Sequence, residues 1–313
     1  MPALVSIVMS AYNAEKYLAE AIESVLAQTY PHFEFIIIND GSKDRTLEII
    51  KQYQAKDERI IVDDHENMGM ANSCNRILPM LKGQFVARID ADDVMMPERI
   101  EKQVKFLQEN PAIDMTSCYC YLINAKGKKV GVQHLMGFKS IEESKQAVEK
   151  GIIAICAHTG FMCRKEALEG VGGYRNRWPS DDTDLFNRMI EKGYVLVGMP
   201  EYLMKYRVHN QSIMASTDMK RALASEWVSS SIYRRRQGLP EQTFDEFMQT
   251  VRQEGFLKNL YRKRKHYGYA FYRNAGINYS LGDYPKFFVQ SLLAVLLIPN
   301  FVFKKLLFQL KNK

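Results

Sequence analysis

The hydrophobic pattern near the start of the chain predicts two buried strands with a helix between them. Residues 5–9 and 33–38 are short apolar runs rich in β-branched side chains, as is typical of strands buried on both faces. Apolar residues recur at helical spacing between these runs, and we expect Asn13 to cap the helix. The apolar stripe consists of Leu18, Ile22, Val25 and Leu26. This order predicts a βαβ unit and hence an α/β fold with a mostly parallel, doubly wound sheet.

Two of the predicted strands end in acidic residues. Asp40 follows the second apolar run, and a third run, residues 85–89, is followed by residues 90–93, which read Asp-Ala-Asp-Asp. In open parallel sheets, ligands bind beyond the carboxyl ends of the strands. We therefore expect Asp40 and Asp92 to face the same crevice.

The acidic segment 90–93 concentrates negative charge that a shared cation would relieve. Oxygen ligands in an Asp-x-Asp spacing suit Mg²⁺ or Mn²⁺, and these ions commonly bind together with nucleotide phosphates. A simpler interpretation is that Asp92 or Asp93 caps a helix opened by Pro97. The segment alone does not decide between a metal site and a helix cap.

Eight ordered motifs resemble those of the family 2 glycosyltransferases, which are inverting enzymes of the glycosyltransferase A fold. The resemblance extends from about residue 4 to residue 215. The motifs occupy residues 5–13, 24–30, 38–42, 67–69, 90–93, 172–174, 180–184 and 206–209. The resemblance implies a nucleotide-sugar-binding sheet and a nucleotide diphosphate sugar, most simply a uridine diphosphate sugar, as donor.

The resemblance also implies roles for individual residues. Asp40 would accept a hydrogen bond from the nucleotide base, Asp92 would contact Mn²⁺ or Mg²⁺, and Asp182 would be the general base. His209 would join Asp92 at the metal and, like Arg207, stabilise the departing diphosphate. The other residues assigned to the donor site are Ala11, Tyr12, Asn13, Asn67, Gly69, Arg88, Asp90 and Ala91.

The chain departs from the family pattern in two ways. Asp181 stands where Glu is more common, and the Gln-x-x-Arg-Trp motif of the processive synthases is absent from the sequence. A single transfer per acceptor is therefore expected rather than polymerisation. The expected acceptor is a hydroxyl of a glycan or lipid-linked glycan in the synthesis of a cell-surface polysaccharide.

Several residues have simpler alternatives. Asp182 could cap the helix predicted for residues 183–190, and Asp40 could stabilise a turn before Gly41. His209 could be a surface histidine, and His158 is expected to be buried or on the acceptor side rather than a metal ligand. At the level of function, the alternatives are a catalytically silent nucleotide-sugar-binding module and a nucleotidyltransferase, although the glycine-rich loop typical of the latter is missing.

Charge is distributed unevenly along the chain, whose net charge is +7. Residues 1–217 contain 26 Lys and Arg against 29 Asp and Glu, whereas residues 218–313 contain 17 against 7. We place the boundary between a catalytic domain, 1–217, and a basic helical domain, 218–313, in the polar stretch 210–218.

The basic C-terminal region is predicted to consist of helices. Thr243 to Glu246 has the pattern of a capping box, Gly238 and Pro240 end the helix before it, and Asp283 can cap a last apolar stretch, 287–308. Pro299 interrupts that stretch, so its apolar length falls short of the roughly 20 residues that span a bilayer.

The basic and aromatic residues of this region, including the run 262–265, suit the anionic inner face of a cell membrane. The alternative is a helical hairpin that packs on the catalytic domain or on a second subunit, which would make a homo-oligomer. Nucleic acid is a weaker explanation because no binding motif accompanies the charge. Five cysteines without a Cys-x-x-Cys pair and the lack of a signal sequence predict a cytoplasmic protein, peripheral to the membrane.

Overall fold

The computed structural model describes residues 2–209 and 217–311, with side chains described through residue 305. The predicted domain boundary lies largely outside the described residues and stays a prediction. The strands are β1 (Val5–Ala11), β2 (Phe33–Asp40), β3 (Ile60–His65), β4 (Phe85–Asp90), β5 (Val94–Met95), β6 (Met115–Thr116), β7 (Cys118–Ile123), β8 (Lys129–Gln133), β9 (Met162–Arg164) and β10 (Met199–Arg207).

Twelve helices are described in the same residues. They are α1 (Leu18–Leu26), α2 (Thr46–Gln54), α3 (Met70–Ile77), α4 (Arg99–Glu109), α5 (Ile141–Gln146), α6 (Lys165–Gly170), α7 (Asp181–Glu191), α8 (Met219–Arg236), α9 (Phe244–Gln253), α10 (Phe256–Leu281), α11 (Tyr284–Leu297) and α12 (Pro299–Lys311).

The strands form two sheets. The larger has the order β3-β2-β1-β4-β9-β6, with β1 to β4 mutually parallel and β9 antiparallel to β4 and β6. The smaller has the order β5-β10-β7-β8. All eight residues of β2 are buried, as expected for a central strand covered on both faces. The predicted βαβ unit and the α/β fold class are thus confirmed.

Two helix starts differ from the sequence prediction. Helix α1 begins at Leu18, and no side chain caps it, so the predicted cap at Asn13 is wrong. The backbone of Asn13 has a φ of +49°, in the left-handed region, and directs the chain into a turn before the helix. Helix α4 begins at Arg99 after Glu98, again without a side-chain cap, so Asp92 and Asp93 do not cap it.

The C-terminal helices follow the predicted start and stop signals. Thr243 and Glu246 form the capping box of α9, and the side chain of Asp283 accepts a hydrogen bond from the backbone N–H of Lys286 at the start of α11. Helix α8 ends at Arg236, just before Gly238. The chain therefore carries a mostly parallel α/β sheet with an α-helical appendage.

Ion pairs join this appendage to the sheet region. Arg235 and Arg236 in α8 both pair with Glu191 in α7, at 2.8 and 3.1 Å. Part of the basic excess of the C-terminal region thus forms ion pairs with the acidic α/β region. No single described helix is long and apolar enough to cross a bilayer, whereas Tyr284–Leu297 and Pro299–Lys305, bent by 117°, reach that length and composition together.

Candidate active site

The segment between β4 and β5 carries three carboxylates in different surroundings. Asp93 is fully buried, and its Oδ1 accepts a hydrogen bond from the backbone N–H of Arg207 at 2.7 Å. Burial and the charges of Asp92 and Asp90 raise the pKa of Asp93 well above its ordinary value. The side chains of Asp90 and Asp92 each keep 37% of their surface exposed. Asp93 therefore anchors the segment inside the protein, and the other two carboxylates remain accessible.

Arg207, at the end of β10, holds the same segment through its side chain. Its Nε donates to the carbonyl of Asp92 at 2.7 Å, and its Nη1 donates to the carbonyl of Asn124 at 3.1 Å. Its Nη2 donates to the carboxylate of Glu20 at 2.6 Å, and the guanidinium lies 4.5 Å from the ring centroid of Tyr17. Because all three nitrogens donate to protein groups, this geometry gives Arg207 an indirect part in the predicted donor site, as the group that fixes Asp92.

His209 and Asp92 form a pair that fits a divalent cation. The Nε2 of His209 lies 3.1 Å from Oδ2 of Asp92, and its ring packs at a tilt on Tyr17, 5.5 Å between centroids. Within residues 2–209 and 217–311 no group of three or more acidic, histidine or cysteine side chains could hold a metal by itself. The carboxylate suits Mn²⁺ or Mg²⁺ when a bound diphosphate and water complete the coordination, and the imidazole favours Mn²⁺ of the two.

Arg88 is a buried cation behind Asp90. Its Nη2 lies 3.5 Å from Oδ1 of Asp90, and its Nη1 donates to a main-chain carbonyl of β1 at 3.3 Å and to the sulfur of Cys74 at 3.4 Å. Partial desolvation raises the pKa of Asp90; the charge of Arg88 opposes this shift and that of Asp92 adds to it. Arg88 thus supports Asp90 from inside the sheet, and the buried Ala91 offers no polar side chain.

Asp182 lies in the first turn of α7, which begins at Asp181. The residue before the helix is Ser180, so the alternative of Asp182 as the cap is wrong. The Oδ1 of Asp182 accepts a hydrogen bond from the backbone N–H of Thr183 at 2.6 Å. Burial raises the pKa of Asp182 to about 6, and the charges of Asp181 and Asp90 contribute to the shift. Asp182 therefore lies within electrostatic reach of the acidic segment and has a pKa suited to a general base near neutral pH.

Asp40 ends β2 and joins it to the start of α3. Its carboxylate accepts hydrogen bonds from the backbone N–H groups of Met68 and Gly69, at 2.8 and 3.0 Å, and from the hydroxyl of Ser73 at 3.0 Å. The side chain of Asn67 donates to the carbonyl of Asp40 at 2.9 Å. These contacts match the simpler turn role of Asp40. The carboxylate is buried and also lies 3.7 Å from Nδ1 of His65, and recognition of a base by Asp40 stays a prediction.

The loop after β1 lies beside the loop after β2. Ala11 is the last residue of β1, and its neighbour Tyr12 is 53% exposed. The side-chain oxygen of Asn13 accepts a hydrogen bond from the backbone N–H of Lys43 at 2.8 Å, and the N–H of Asn13 donates to the hydroxyl of Ser42 at 3.0 Å. The predicted donor-site residues of this loop are therefore fixed at the carboxyl edge of the parallel strands.

His158 and Tyr174 form a second polar pair near Asp182. The Nε2 of His158 lies 2.8 Å from the hydroxyl oxygen of Tyr174. Burial lowers the pKa of His158 well below its ordinary value, and burial and neighbouring charges that include Asp182 raise the pKa of Tyr174. His158 is thus a neutral histidine paired with a tyrosine, and the expectation that it is not a metal ligand stays a prediction.

Sequence reasoning missed Tyr17, Glu20 and Asn124, which surround Arg207. They lie on a loop, a helix surface and a turn, where no periodic pattern separates them from ordinary surface residues. Tyr174 is the last residue of the motif 172–174, and that motif is the feature of the sequence from which Tyr174 could have been predicted.

Comparison with known proteins assigns the chain to a family. The family described as Glycosyl transferase family 2 matches residues 6–172, which is more than half of the chain. The chain belongs to this family. It is therefore a glycosyltransferase, and the nucleotidyltransferase alternative falls.

Two curated relatives and one solved structure show how far the similarity extends. An uncharacterised glycosyltransferase of Methanocaldococcus jannaschii is 34% identical over 227 residues, or 71% of this chain and 77% of the relative. The O-antigen biosynthesis glycosyltransferase WbnJ of Escherichia coli is 29% identical over 254 residues, or 78% of this chain and 92% of the relative. The crystal structure of S. aureus TarS in complex with UDP-GlcNAc matches with a TM-score of 0.59 at 16% identity, over 93% of this chain and 91% of that chain. This last likeness supports the fold.

Proposed function

We propose that this glycosyltransferase transfers a sugar, with inversion and with a divalent cation, from a uridine diphosphate sugar to a hydroxyl of a glycan or lipid-linked glycan acceptor. The observation that carries the proposal is the contrast between two nearby carboxylates. Asp92 is partly exposed and paired with His209, whereas Asp182 has no ion pair in the described structure and burial raises its pKa to about 6. Asp92 is suited to bind a cation together with a diphosphate, and Asp182 is suited to act as the general base.

In an inverting transfer, the acceptor hydroxyl attacks the anomeric carbon opposite the departing diphosphate. Asp182 orients this hydroxyl and takes its proton, a task for which a pKa somewhat below the operating pH is favourable. Asp92 and His209 lie on the leaving-group side, where Mn²⁺ or Mg²⁺, when bound, neutralises the charge that develops on the diphosphate. Arg207 and Asp93 keep Asp92 in place. No covalent bond between sugar and protein is required.

The nucleotide is proposed to lie at the edge formed by the ends of β1 and β2. Asp40 ends β2 at this edge, Asn13 and Gly69 lie in neighbouring loops, and hydrogen bonds join both loops to the end of β2 and the loop after it. A uridine nucleotide is supported by the ligand of TarS, and a surface polysaccharide is supported by the pathway named for WbnJ. Both remain proposals for this chain.

The test is donor hydrolysis with added Mn²⁺. Purified protein is screened against nucleotide sugars for stabilisation against heat, and the sugar that stabilises it is used for hydrolysis assays. We expect Asp92→Asn to lose Mn²⁺-dependent donor binding, because the diphosphate would then meet Asp90 without a shared cation. Undiminished donor affinity of Asp92→Asn with Mn²⁺ present contradicts the metal assignment. Donor binding without hydrolysis or transfer under any condition supports the silent-module alternative.

We also propose that residues 1–217 and 218–313 are a catalytic domain and an appendage that contacts an anionic membrane surface. Helix α11 leaves Phe288, Leu292 and Leu296 at 67%, 60% and 67% exposure, a stripe at helical spacing. Lys304 and Lys305 are exposed on the adjoining helix. The basic run 262–265 contributes less positive charge to membrane binding than expected, because Arg262 pairs with Glu226 at 2.8 Å and with Glu254.

A further inference from the structure

The smaller sheet carries partly exposed aromatic rings on the face opposite its buried cysteines. Tyr119 and Tyr121 alternate along β7 with the fully buried Cys118 and Cys120, so the two tyrosines share the outer face. The ring of Tyr202, from β10, is stacked on Tyr121 at 4.4 Å between centroids with an interplanar angle of 7°. We call Tyr119, Tyr121 and Tyr202 the tyrosine face.

Hydrogen bonding and charge add specific features to the tyrosine face. The Nε2 of His134 lies 2.7 Å from the hydroxyl oxygen of Tyr202, and its ring is 4.4 Å from that of Tyr119. The Nζ of Lys129 lies 3.9 Å from the centroid of Tyr121, and Lys205 is beside Tyr121 in the strand register. Within residues 2–209 and 217–311, neither lysine has a carboxylate within ion-pair distance.

The two strands that carry the tyrosine face lead to the candidate active site. Strands β7 and β10 are parallel, and both run toward the acidic segment. Asn124, directly after β7, and Asp92 both accept hydrogen bonds from Arg207, at the end of β10. Tyr121 precedes Asn124 by three residues, which is about 10 Å of extended strand. A chain molecule leaving the active site could therefore reach the face within a few sugar units.

We infer that the tyrosine face binds an acidic segment of the glycan acceptor. This inference rests on the proposed function, since it assigns a subsite for the same acceptor. An apolar sugar face can pack on an aromatic ring, and a uronate carboxylate placed there would pair with Lys129 and Lys205. The long, exposed side chain of Lys129 now covers the outer side of Tyr121 and can move aside. Cross-strand stacking by itself would stabilise the sheet without any ligand, so the test must separate binding from folding.

The test is affinity electrophoresis of the full chain in gels that contain alginate, an anionic polyuronate, or dextran, a neutral glucan. We expect alginate to retard the protein, and we expect Tyr121→Leu to weaken the retardation constant about threefold to tenfold. Tyr121→Phe keeps the ring and should retain binding. Tyr233→Leu, at an exposed tyrosine of α8, is the matched control. Thermal melting of each variant shows whether the sheet is intact.

A general attraction of the basic C-terminal region for a polyanion is the rival explanation. Lys129→Gln and Lys263→Gln remove one exposed charge each, on the tyrosine face and on α10. The inference expects Lys129→Gln to weaken alginate binding more than Lys263→Gln does. The inference is overturned if alginate retards Tyr121→Leu as strongly as the parent protein, or if the two lysine variants lose the same amount of alginate binding.

Donor hydrolysis is measured on the same protein and distinguishes the two proposals. If the protein hydrolyses a donor but does not bind alginate, the acidic-glycan subsite is contradicted and the transferase proposal is supported. If alginate binding depends on Tyr121 but no donor is hydrolysed, the subsite is supported and the proposed transfer reaction is contradicted.

Discussion

The aspartates of residues 90–93 and Asp184 of α7 differ in how the protein compensates their charge. In residues 90–93, Asp90 has only the buried Arg88 within ion-pair distance, at 3.5 Å, and Asp92 has only His209, among the residues that the structure describes. At the start of α7, Asp184 is fully buried and pairs with Arg175, Arg188 and Arg235, at 2.6, 2.7 and 3.2 Å.

The difference lies in where the compensating charge comes from. Burial would raise the pKa of Asp184, but hydrogen bonds and charges of its arginines lower it. Two residues earlier, Asp182 lacks such partners in the described structure, and burial raises its pKa to about 6. A carboxylate neutralised by the protein is structural, whereas a carboxylate left short of cations is suited to bind one or to take up a proton.

The largest effect is expected from removing the structural aspartate. Asp184→Ala would leave three arginines around a buried site without their shared carboxylate, which costs about 3–5 kcal/mol of unfolding free energy for a broken buried pair. Chemical denaturation measures this loss. Asp245→Ala, at an exposed aspartate of α9, is the control and should change stability by less than about 0.5 kcal/mol. Equal stability of Asp184→Ala and parent would show that the network is replaceable.

The next effect concerns catalysis at Asp182. Asp182→Asn keeps the side-chain shape and removes the base, so turnover should fall by about 10² or more while donor binding is nearly unchanged. Single-turnover transfer and donor titration separate the two quantities. Transfer at the parental rate would mean that the base is another group.

The pH dependence sharpens the same contrast. With a folded pKa of about 6, raised from the ordinary value, Asp182 loses its proton only as pH rises through about 6, so the parent's transfer rate should fall below this pH. The raised pKa also means that ionised Asp182 destabilises the fold, fully above pH 6 and not at all below the unfolded pKa of about 4. Asp182→Asn should therefore melt at a higher temperature than the parent at pH 8 but not at pH 3.5.

A smaller effect is expected at Asp40. Asp40→Ala removes the acceptor for two backbone N–H groups before α3, so the free energy of unfolding should fall by about 1–2 kcal/mol. If Asp40 also reads the base, the folded variant should bind uridine diphosphate more weakly by about 1–3 kcal/mol. Calorimetry on the folded variant measures this affinity, and an unchanged value would leave Asp40 with the turn role alone.

The sequence predicted which elements meet at the site better than which side chains hold it. Apolar periodicity located β1, β2 and β4, and parallel pairing then brought the acidic ends of β2 and β4 to one edge. Strand periodicity does not determine contacts at a strand end, where the chain leaves the sheet. Arg207 was therefore predicted at the diphosphate, whereas its nitrogens bind Asp92, Asn124 and Glu20.

Helix starts show the same limit. The sequence signals at Thr243 and Asp283 gave correct caps because the capping group lies next to the helix it caps. Asn13 failed because a left-handed backbone, which asparagine tolerates, inserts a turn before α1. The alternative conformations of such a residue differ by little energy locally, and contacts with Ser42 and Lys43 select one.

The smallest effect per residue is expected on the membrane surface of the appendage. If α11 and α12 lie on an anionic leaflet, binding to vesicles should require acidic lipid and weaken with salt. Lys304→Gln and Lys305→Gln should each lower partitioning about fivefold, the equivalent of about 1 kcal/mol per surface cation. Replacing Phe288, Leu292 and Leu296 together by Gln should abolish binding, because the exposed stripe would no longer enter the interface.

A chain ending at residue 282 keeps the ion pairs of Arg235 and should retain donor hydrolysis. A full chain that ignores acidic vesicles, together with insolubility of the shortened one, would instead identify these helices as cover for the protein or for a second subunit.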